Sequence, residues 1–400
     1  PLWDDDGKVY LVHAYAGSRA GIKSVLVIKQ LNKEGTKVMD AGVMVYDGHD
    51  QDPTVEGPKF YKRNGYYYIF APAGGVATGW QLVLRSKHVY GPYERRVVMD
   101  QGTTKVNGPH QGAWVDTKAG EHWFLHFQDK EAYGRVVHLQ PMRWVNDWPV
   151  IGEDKDGYGK GEPVLVYRKP IKDITYLPGA PATSDEFDDR KPGLQWQWQA
   201  NPEPYWAFPF HRSIDSNTIV STRDQVTNTN RSLRLFTVVL PDSSKNYWDV
   251  PNLLMQKFPA DEFMVTTRLR FQPRWDGEKA GLIIMGMDYA SVALVKRKND
   301  VYISFSNCIN ADKGNNETVQ DGEKISNADI YFRVIVRRGA LCDFSYSENG
   351  IDFKPIGTTL EAKPGRWIGA KVGLFATRVN KTNDAGFVDV GWFRIETIKK

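Results

Sequence analysis

Alternating apolar and polar residues, cut by Asp-Gly and Asn-Gly turns, dominate the N-terminal part of the chain. The stretch Thr54 to Phe70 gives the unit. Glu56 stands just before a strand, Asn64-Gly65 makes a turn, and a second strand follows. The same layout recurs from Pro1 to Ala14 and from Gly112 to Phe127. The copies start roughly 55 residues apart, a period in the range of propeller blades. Each copy heads a set of short antiparallel strands. The first set reads from Leu2, then Lys8 to Ala14, Ser24 to Leu31 and Ala41 to Tyr46. The second holds Pro58 to Tyr61, Tyr66 to Ala71, Trp80 to Ser86 and Tyr93 to Met99. The third holds Ala113 to Asp116, His122 to Phe127, Val136 to Trp144 and a tail at Pro149 to Ile151. No strong amphipathic helix pattern interrupts them, which predicts an all-β fold.

Asp154 to Gly161 is a charged, glycine-rich loop that lacks the ligand spacing and closing Glu of an EF-hand, so it reads as a solvent loop. A Pro-, Ala- and Gly-rich stretch then reads as a linker over 169–184. This divides the chain into 1–168, the linker, and 185–400. Period-2 patterns return, with examples at Ser232 to Val239, Phe263 to Phe271, Gly281 to Met287, Val301 to Ser306, Ile330 to Val336, Val372 to Thr377 and Val388 to Ile395. Roughly a dozen such strands predict a two-sheet β-sandwich of jelly-roll type.

Composition adds limits. Hydrophobic residues are 41% and charged residues 25%, ordinary for a globular chain. The net charge of +4 with no Lys/Arg run gives no nucleic-acid footprint. No apolar run approaches the ~18 residues of a membrane span. The 13 Trp, 19 Tyr and 18 Phe suit core packing, and they also suit stacking on the C–H faces of sugar rings. Cys308 and Cys342 either pair or stay free, and spacing does not decide between the two.

Three blades cannot close a ring, since propellers need at least about four. Further blades are therefore expected, from residues before Pro1 of the same gene product or from a partner. Pro1 stands in the middle of a strand motif, so the native start is expected upstream. The first strand of each blade lines the central channel. Glu56 and His110, each just upstream of a first strand, are thus expected at one channel mouth.

At this point the residues resemble glycoside hydrolase family 43. The resemblance is carried by Glu56-Gly57-Pro58, by Gly79-Trp80 to Ser86 with Tyr90-Gly-Pro-Tyr93, and by Asn107-Gly-Pro-His-Gln-Gly112. Phe127-Gln128-Asp129, Gly134-Arg135 to Met142, Trp144 to Pro149 and the opening Pro1 to Leu11 add to it. It is strong over Pro1 to Pro163 and rests beyond the linker mostly on pattern and Glu186-Phe187-Asp188. The resemblance implies the C-terminal three blades of a five-bladed β-propeller followed by a concanavalin-like β-sandwich. It implies Glu56 as general acid and His110 as a channel histidine that binds substrate or helps hold a central cation or water cluster. Arg135 matches an arginine that contacts substrate or adjusts the acid. Trp80 is a sugar platform or blade core, and Gln128 and Asp129 are near the site or in supporting roles. Glu186 and Asp389 resemble a calcium pair of related sandwiches, or are surface charge. No cofactor is required, with Ca2+ as a structural option.

An inverting glycosidase needs an acid for the leaving oxygen and a second carboxylate about 6.5–9.5 Å away to activate water. The acid's pKa is expected to be raised by burial and a nearby negative charge. The family's base and its tuning aspartate match no residue of this sequence. Asp4, Asp5 and Asp6 are no substitutes, because they occupy a hairpin turn. A polypeptide of these residues alone is therefore expected not to complete the reaction. Three functions compete: an exo-acting β-xylosidase or α-L-arabinofuranosidase on xylan- or arabinan-type saccharides, an endo-acting xylanase or arabinanase, and a non-catalytic carbohydrate-binding fragment. Sugar polymers as substrates imply a periplasmic or extracellular location.

Overall fold

A computed structural model describes residues 1–170, 180–189, 191–211 and 231–398. Part of the expected linker, 171–179, lies outside them. The chain divides into two compact units, Pro1–Asp129 with Arg135–Tyr176, and Lys130–Gly134 with Leu177–Lys400.

The first unit contains three four-stranded antiparallel sheets, each a simple meander. The first sheet runs β1 (Leu2–Trp3), β2 (Val9–Ala14), β3 (Val25–Leu31) and β4 (Val43–Asp47), with a one-turn helix, Gly17–Ala20, between β2 and β3. The second runs β5 (Lys59–Arg63), β6 (Tyr66–Ala73), β7 (Trp80–Ser86) and β8 (Glu94–Met99). The third runs β9 (His110–Asp116), β10 (His122–Asp129), β11 (Arg135–Val145) and β12 (Trp148–Ile151). These are the three blade-like sets the pattern predicts. The β5–β6 turn has Asn64 at φ 50° and Gly65 at φ 72°, the left-handed pair that matches strand twist in a two-residue hairpin.

Alternation decides what each face does. On β6, Ile69, Ala71 and Ala73 enter a core with Tyr10, Leu26, Ile28, Leu82 and Leu84. The intervening Tyr68 and Phe70 enter another with Val83, Val98, Phe124, Trp148 and Ile151. The second sheet is thus covered on both faces. Its inner strand β6, Tyr66–Ala73, carries no charged residue, because both of its faces are dehydrated when the sheet is covered.

The second unit is a sandwich of two sheets. One has the order Gln197–Trp198, Leu253–Lys257, Lys371–Arg378, Lys279–Met285, Tyr289–Arg297, Asp300–Cys308 and Thr318–Lys324, with Val238–Val239 pairing parallel to Lys371–Arg378. The other has the order Ala207–His211, Arg231–Phe236, Phe387–Glu396, Phe263–Gln272, Asp329–Arg337, Leu341–Ser347 and Lys354–Glu361. Their inner faces share one core that includes Leu282, Ile284, Val292, Phe332, Val334, Leu374 and Val390. A smaller apolar cluster around Tyr247, Ile283, Tyr289 and Phe375 lies outside that core. Cys308 and Cys342 are both buried free thiols. Burial pushes the Cys342 thiol up to about 12. No helix among the described residues is long and apolar enough to cross a membrane.

Candidate active site

Glu56 is placed by its neighbours in sequence. Asp52 and Val55 close a turn through Val55 N–H to Asp52 O at 3.0 Å, and Val55 is fully buried. Glu56 N–H then donates to Pro72 O on β6 at 3.1 Å, which fixes the backbone beside the β5–β6 hairpin. Its side chain is half exposed.

His110 opens β9 and is buried, against Phe127 of β10 at 5.7 Å between ring centroids. Its Nε2 lies 3.1 Å from Glu56 Oε1. That contact requires the proton on Nε2, and Nδ1 is buried with no partner among the described residues. Gln111 Nε2 donates to the same oxygen at 3.1 Å. Arg135, the first residue of β11, sits with its guanidinium 4.6 Å from the Phe127 ring centroid. The structure thus brings Glu56 and His110 together, with Arg135 close enough to act on the carboxylate.

The hydrogen bond from His110 is the largest influence on the Glu56 carboxyl. Burial opposes it, and the His110 charge, Gln111 and Arg135 add to it, so the group is held below the usual carboxylate range. This is opposite to the expectation for a waiting acid. The physical reason is direct: the side chains that act on it most are donors and cations, and half the side chain faces water.

Two residues at this site carry no sequence-level expectation. Lys59 Nζ donates to Gly57 O at 2.7 Å and lies 3.5 Å from Gln111 Oε1. Burial holds the Lys59 ammonium below the usual lysine range. Gln111 has a backbone φ of 52°, left-handed for a residue with a side chain. The motif Pro-His-Gln-Gly holds both His110 and Gln111, yet only a backbone angle reveals that the two point the same way.

Trp80 packs against the core between the first two sheets, and its indole N–H donates to Asp52 at 2.8 Å. Asp52 is fully buried, and Arg95 grips it with two bonds of 2.5 and 2.7 Å while Tyr46 donates as well. Burial pushes that carboxyl up, but the donors win and hold it low. Gln128 donates to Lys105 O and Asn107 Oδ1, each at 2.9 Å, and stays next to His138. Asp129 pairs across from Arg135 in the β10–β11 register.

Glu186 and Asp389 occupy separate places. Arg394 holds Glu186 with bonds of 2.7 and 2.9 Å, and Arg234 holds Asp389 at the same two distances. Asp389 and Arg394 are five residues apart on one strand, roughly 16–17 Å at the usual rise. Among the described residues no group of three or more His, Cys, Asp or Glu is placed to hold a metal ion. In the Asp154 loop the carboxylate accepts from Gly157 N–H and Gly159 N–H, each at 3.0 Å, so the loop is closed on itself.

Residues 1–149 match the model for glycosyl hydrolases family 43, and 217–396 match a beta xylosidase C-terminal concanavalin A-like domain. A putative beta-xylosidase of Xylanibacter ruminicola is 36% identical over 383 residues, which is 94% of this chain and 64% of that protein. A beta-xylosidase of Formosa agariphila is 30% identical over 428 residues, which is 98% of this chain and 68% of that protein. Among solved structures, a xylan beta-1,4-xylosidase from Bacillus halodurans has a TM-score of 0.79 at 21% identity, covering 99% of this chain and 75% of the other. A bifunctional protein of Bacteroides eggerthii has a TM-score of 0.77 at 24% identity, covering all of this chain (100%) and 48% of the other. The structural likeness establishes the fold, a family 43 propeller followed by a concanavalin-like sandwich. The chain spans about two thirds (64%) of the Xylanibacter relative and about half (48%) of the Bacteroides one. Motif order, sheet architecture and sequence identity along nearly the whole chain make it a member of glycoside hydrolase family 43.

Proposed function

We propose that this chain is part of an exo-acting, inverting glycoside hydrolase that removes xylose or arabinose units from xylan- or arabinan-type saccharides, with Glu56 as the general acid. One observation carries the reading. His110 and Gln111 both hold Glu56 through Oε1, which leaves Oε2 of a half-exposed carboxylate without a hydrogen bond among the described residues. A proton on Oε2 would face the glycosidic oxygen, while the donors on Oε1 keep the group from rotating. Protonation near neutral pH then needs a further negative charge near Glu56, because the groups acting on it here favour the anion. We place that charge, and the base that activates water, in the part of the gene product outside this chain. The relatives named as xylosidases support the pentose, and substrate polymers of that kind support a location outside the cytoplasm.

The low pKa of Glu56, which keeps it an anion here, favours a second reading, in which these residues by themselves bind saccharide without cleaving it. The full-length protein separates the two. Wild type should release single pentoses from xylo- or arabino-oligosaccharides. Glu56→Gln should lower kcat on unactivated oligosaccharides by roughly a hundredfold or more, the usual contribution of a general acid. Unchanged turnover in Glu56→Gln would remove the assignment. Oligosaccharide products in place of single sugars would move the action from exo to endo.

A further inference from the structure

Gln111 has a part in this site that depends on Glu56 being the acid, as proposed above. In a regular strand, consecutive side chains point to opposite faces. His110 and Gln111 are consecutive, yet both reach Glu56 Oε1 at 3.1 Å. The β9–β10 register explains how. Ala113 pairs with Leu125 and His110 with Phe127, so three steps on β9 match two on β10. One extra residue is inserted, a β-bulge, and Gln111 takes the left-handed conformation within it. Bulges re-aim side chains, and a non-glycine residue in this conformation persists only when its surroundings hold it.

Those surroundings are specific. Gly57 follows the acid, and a Cβ there would overlap the Gln111 carboxamide, so only glycine lets the amide in. Gly112 follows Gln111, and a Cβ there would overlap the Phe124 ring, so the bulge itself needs glycine. Lys59 then approaches the amide oxygen at 3.5 Å while donating to Gly57 O at 2.7 Å. The two ends of the carboxamide therefore have different partners, a cation at the oxygen and a carboxylate at the nitrogen.

We propose that Gln111 is a positioning residue: the bulge turns its carboxamide onto Glu56 Oε1, Lys59 fixes it from behind, and Oε2 is thereby aimed at the leaving oxygen. His110 alone would leave the carboxylate one pivot. Two donors on one oxygen remove that freedom. Gln111 touches no reacting atom and works only through Glu56.

Leaving-group dependence tests this in the full-length protein. Dinitrophenolate leaves a dinitrophenyl pentoside without a proton, whereas the sugar alkoxide from a disaccharide needs one. Gln111→Met keeps the side-chain length and removes the donor. It should lower kcat on the disaccharide roughly tenfold or more, leave KM within about twofold, and change the dinitrophenyl substrate little. Lys59→Met should act in the same direction with a smaller loss, and it serves if the first variant folds poorly. Equal losses on both substrates, or a loss confined to KM, would overturn the proposal. Glu56→Gln is measured alongside. Selectivity by leaving group in Glu56→Gln but not in Gln111→Met or Lys59→Met removes this inference alone. No such selectivity in Glu56→Gln removes the acid assignment instead.

Discussion

His126 lies in the third sheet, stacked on His138 at 5.2 Å and on Phe124 at 6.2 Å between centroids. Its Nδ1 faces Phe127 O at 3.2 Å, and its Nε2 faces the Gln140 amide nitrogen at 3.3 Å. A proton on Nδ1 and a bare Nε2 satisfy both contacts, so the ring is seated as the neutral form. Burial pushes its pKa down from 6.5 to about 4. The unfolded chain therefore takes up this proton first as pH falls. The stabilisation is complete above 6.5 and is lost between 6.5 and about 4. Its full size is about 3 kcal/mol. His126→Gln should lose less stability than the parent between neutral and mildly acidic pH in urea unfolding. Parallel losses in the two proteins would count against this account. At the same scale, Glu56 and His110 were legible from the repeat and from motif order. Gln111 and Lys59 were not. Their roles depend on one backbone angle and one partly buried amine, and neither leaves a mark on the apolar–polar pattern.

The strands of the first unit were legible almost to the residue, because Asp-Gly and Asn-Gly turns punctuate them. The exception is β9, which begins at His110 and not at Ala113. The inserted residue makes Pro-His-Gln-Gly look like loop. Tyr289–Arg297 escaped for the opposite reason. Ala290, Val292 and Leu294 face the sandwich core while Tyr289 and Ala293 face the outer cluster, so alternation vanishes. Elements are also joined by side chains. Asp52 ties Tyr46 of β4, Trp80 of β7 and Arg95 of β8, linking the first two sheets. Removing one partner of a buried ion pair strands the other, and with Arg95 about one-third (30%) exposed the loss is partly softened by water. Asp52→Ala should destabilise the first unit by about 2–3 kcal/mol, read as a lower urea midpoint. An unchanged midpoint would mean the cluster contributes nothing net.

A linker at 169–184 is what composition offers for dividing the molecule, but the compact units are not simple segments. The tip of the β10–β11 hairpin, Lys130–Gly134, belongs to the second unit. There Ala370 N–H donates to Ala132 O at 2.7 Å, and Ala340 N–H to the Tyr133 hydroxyl at 2.8 Å. Gly134 and Gly369 meet backbone to backbone, and a Cβ on Gly369 would lie 2.5 Å from Gly134 N. Gly369→Ala should therefore lower the stability of the second unit by about 1–3 kcal/mol, the cost of overpacking between rigid backbones. Thermal unfolding of the variant checks this, and an unshifted transition would show that one of the loops gives way freely. No composition signal marks five residues exchanged between units, since their partners lie far along the chain. The bulge in β9 has a counterpart in the gene. Substitution at 111 changes which side chain stands there, whereas the loss of a codon removes the inserted residue and with it the register that lets residues 110 and 111 face one oxygen. A deletion of one codon between His110 and Ala113 would keep Glu56, His110 and Arg135 in the coding sequence and still undo their arrangement. The site is thus exposed to a class of mutation that leaves all three of those residues in the protein.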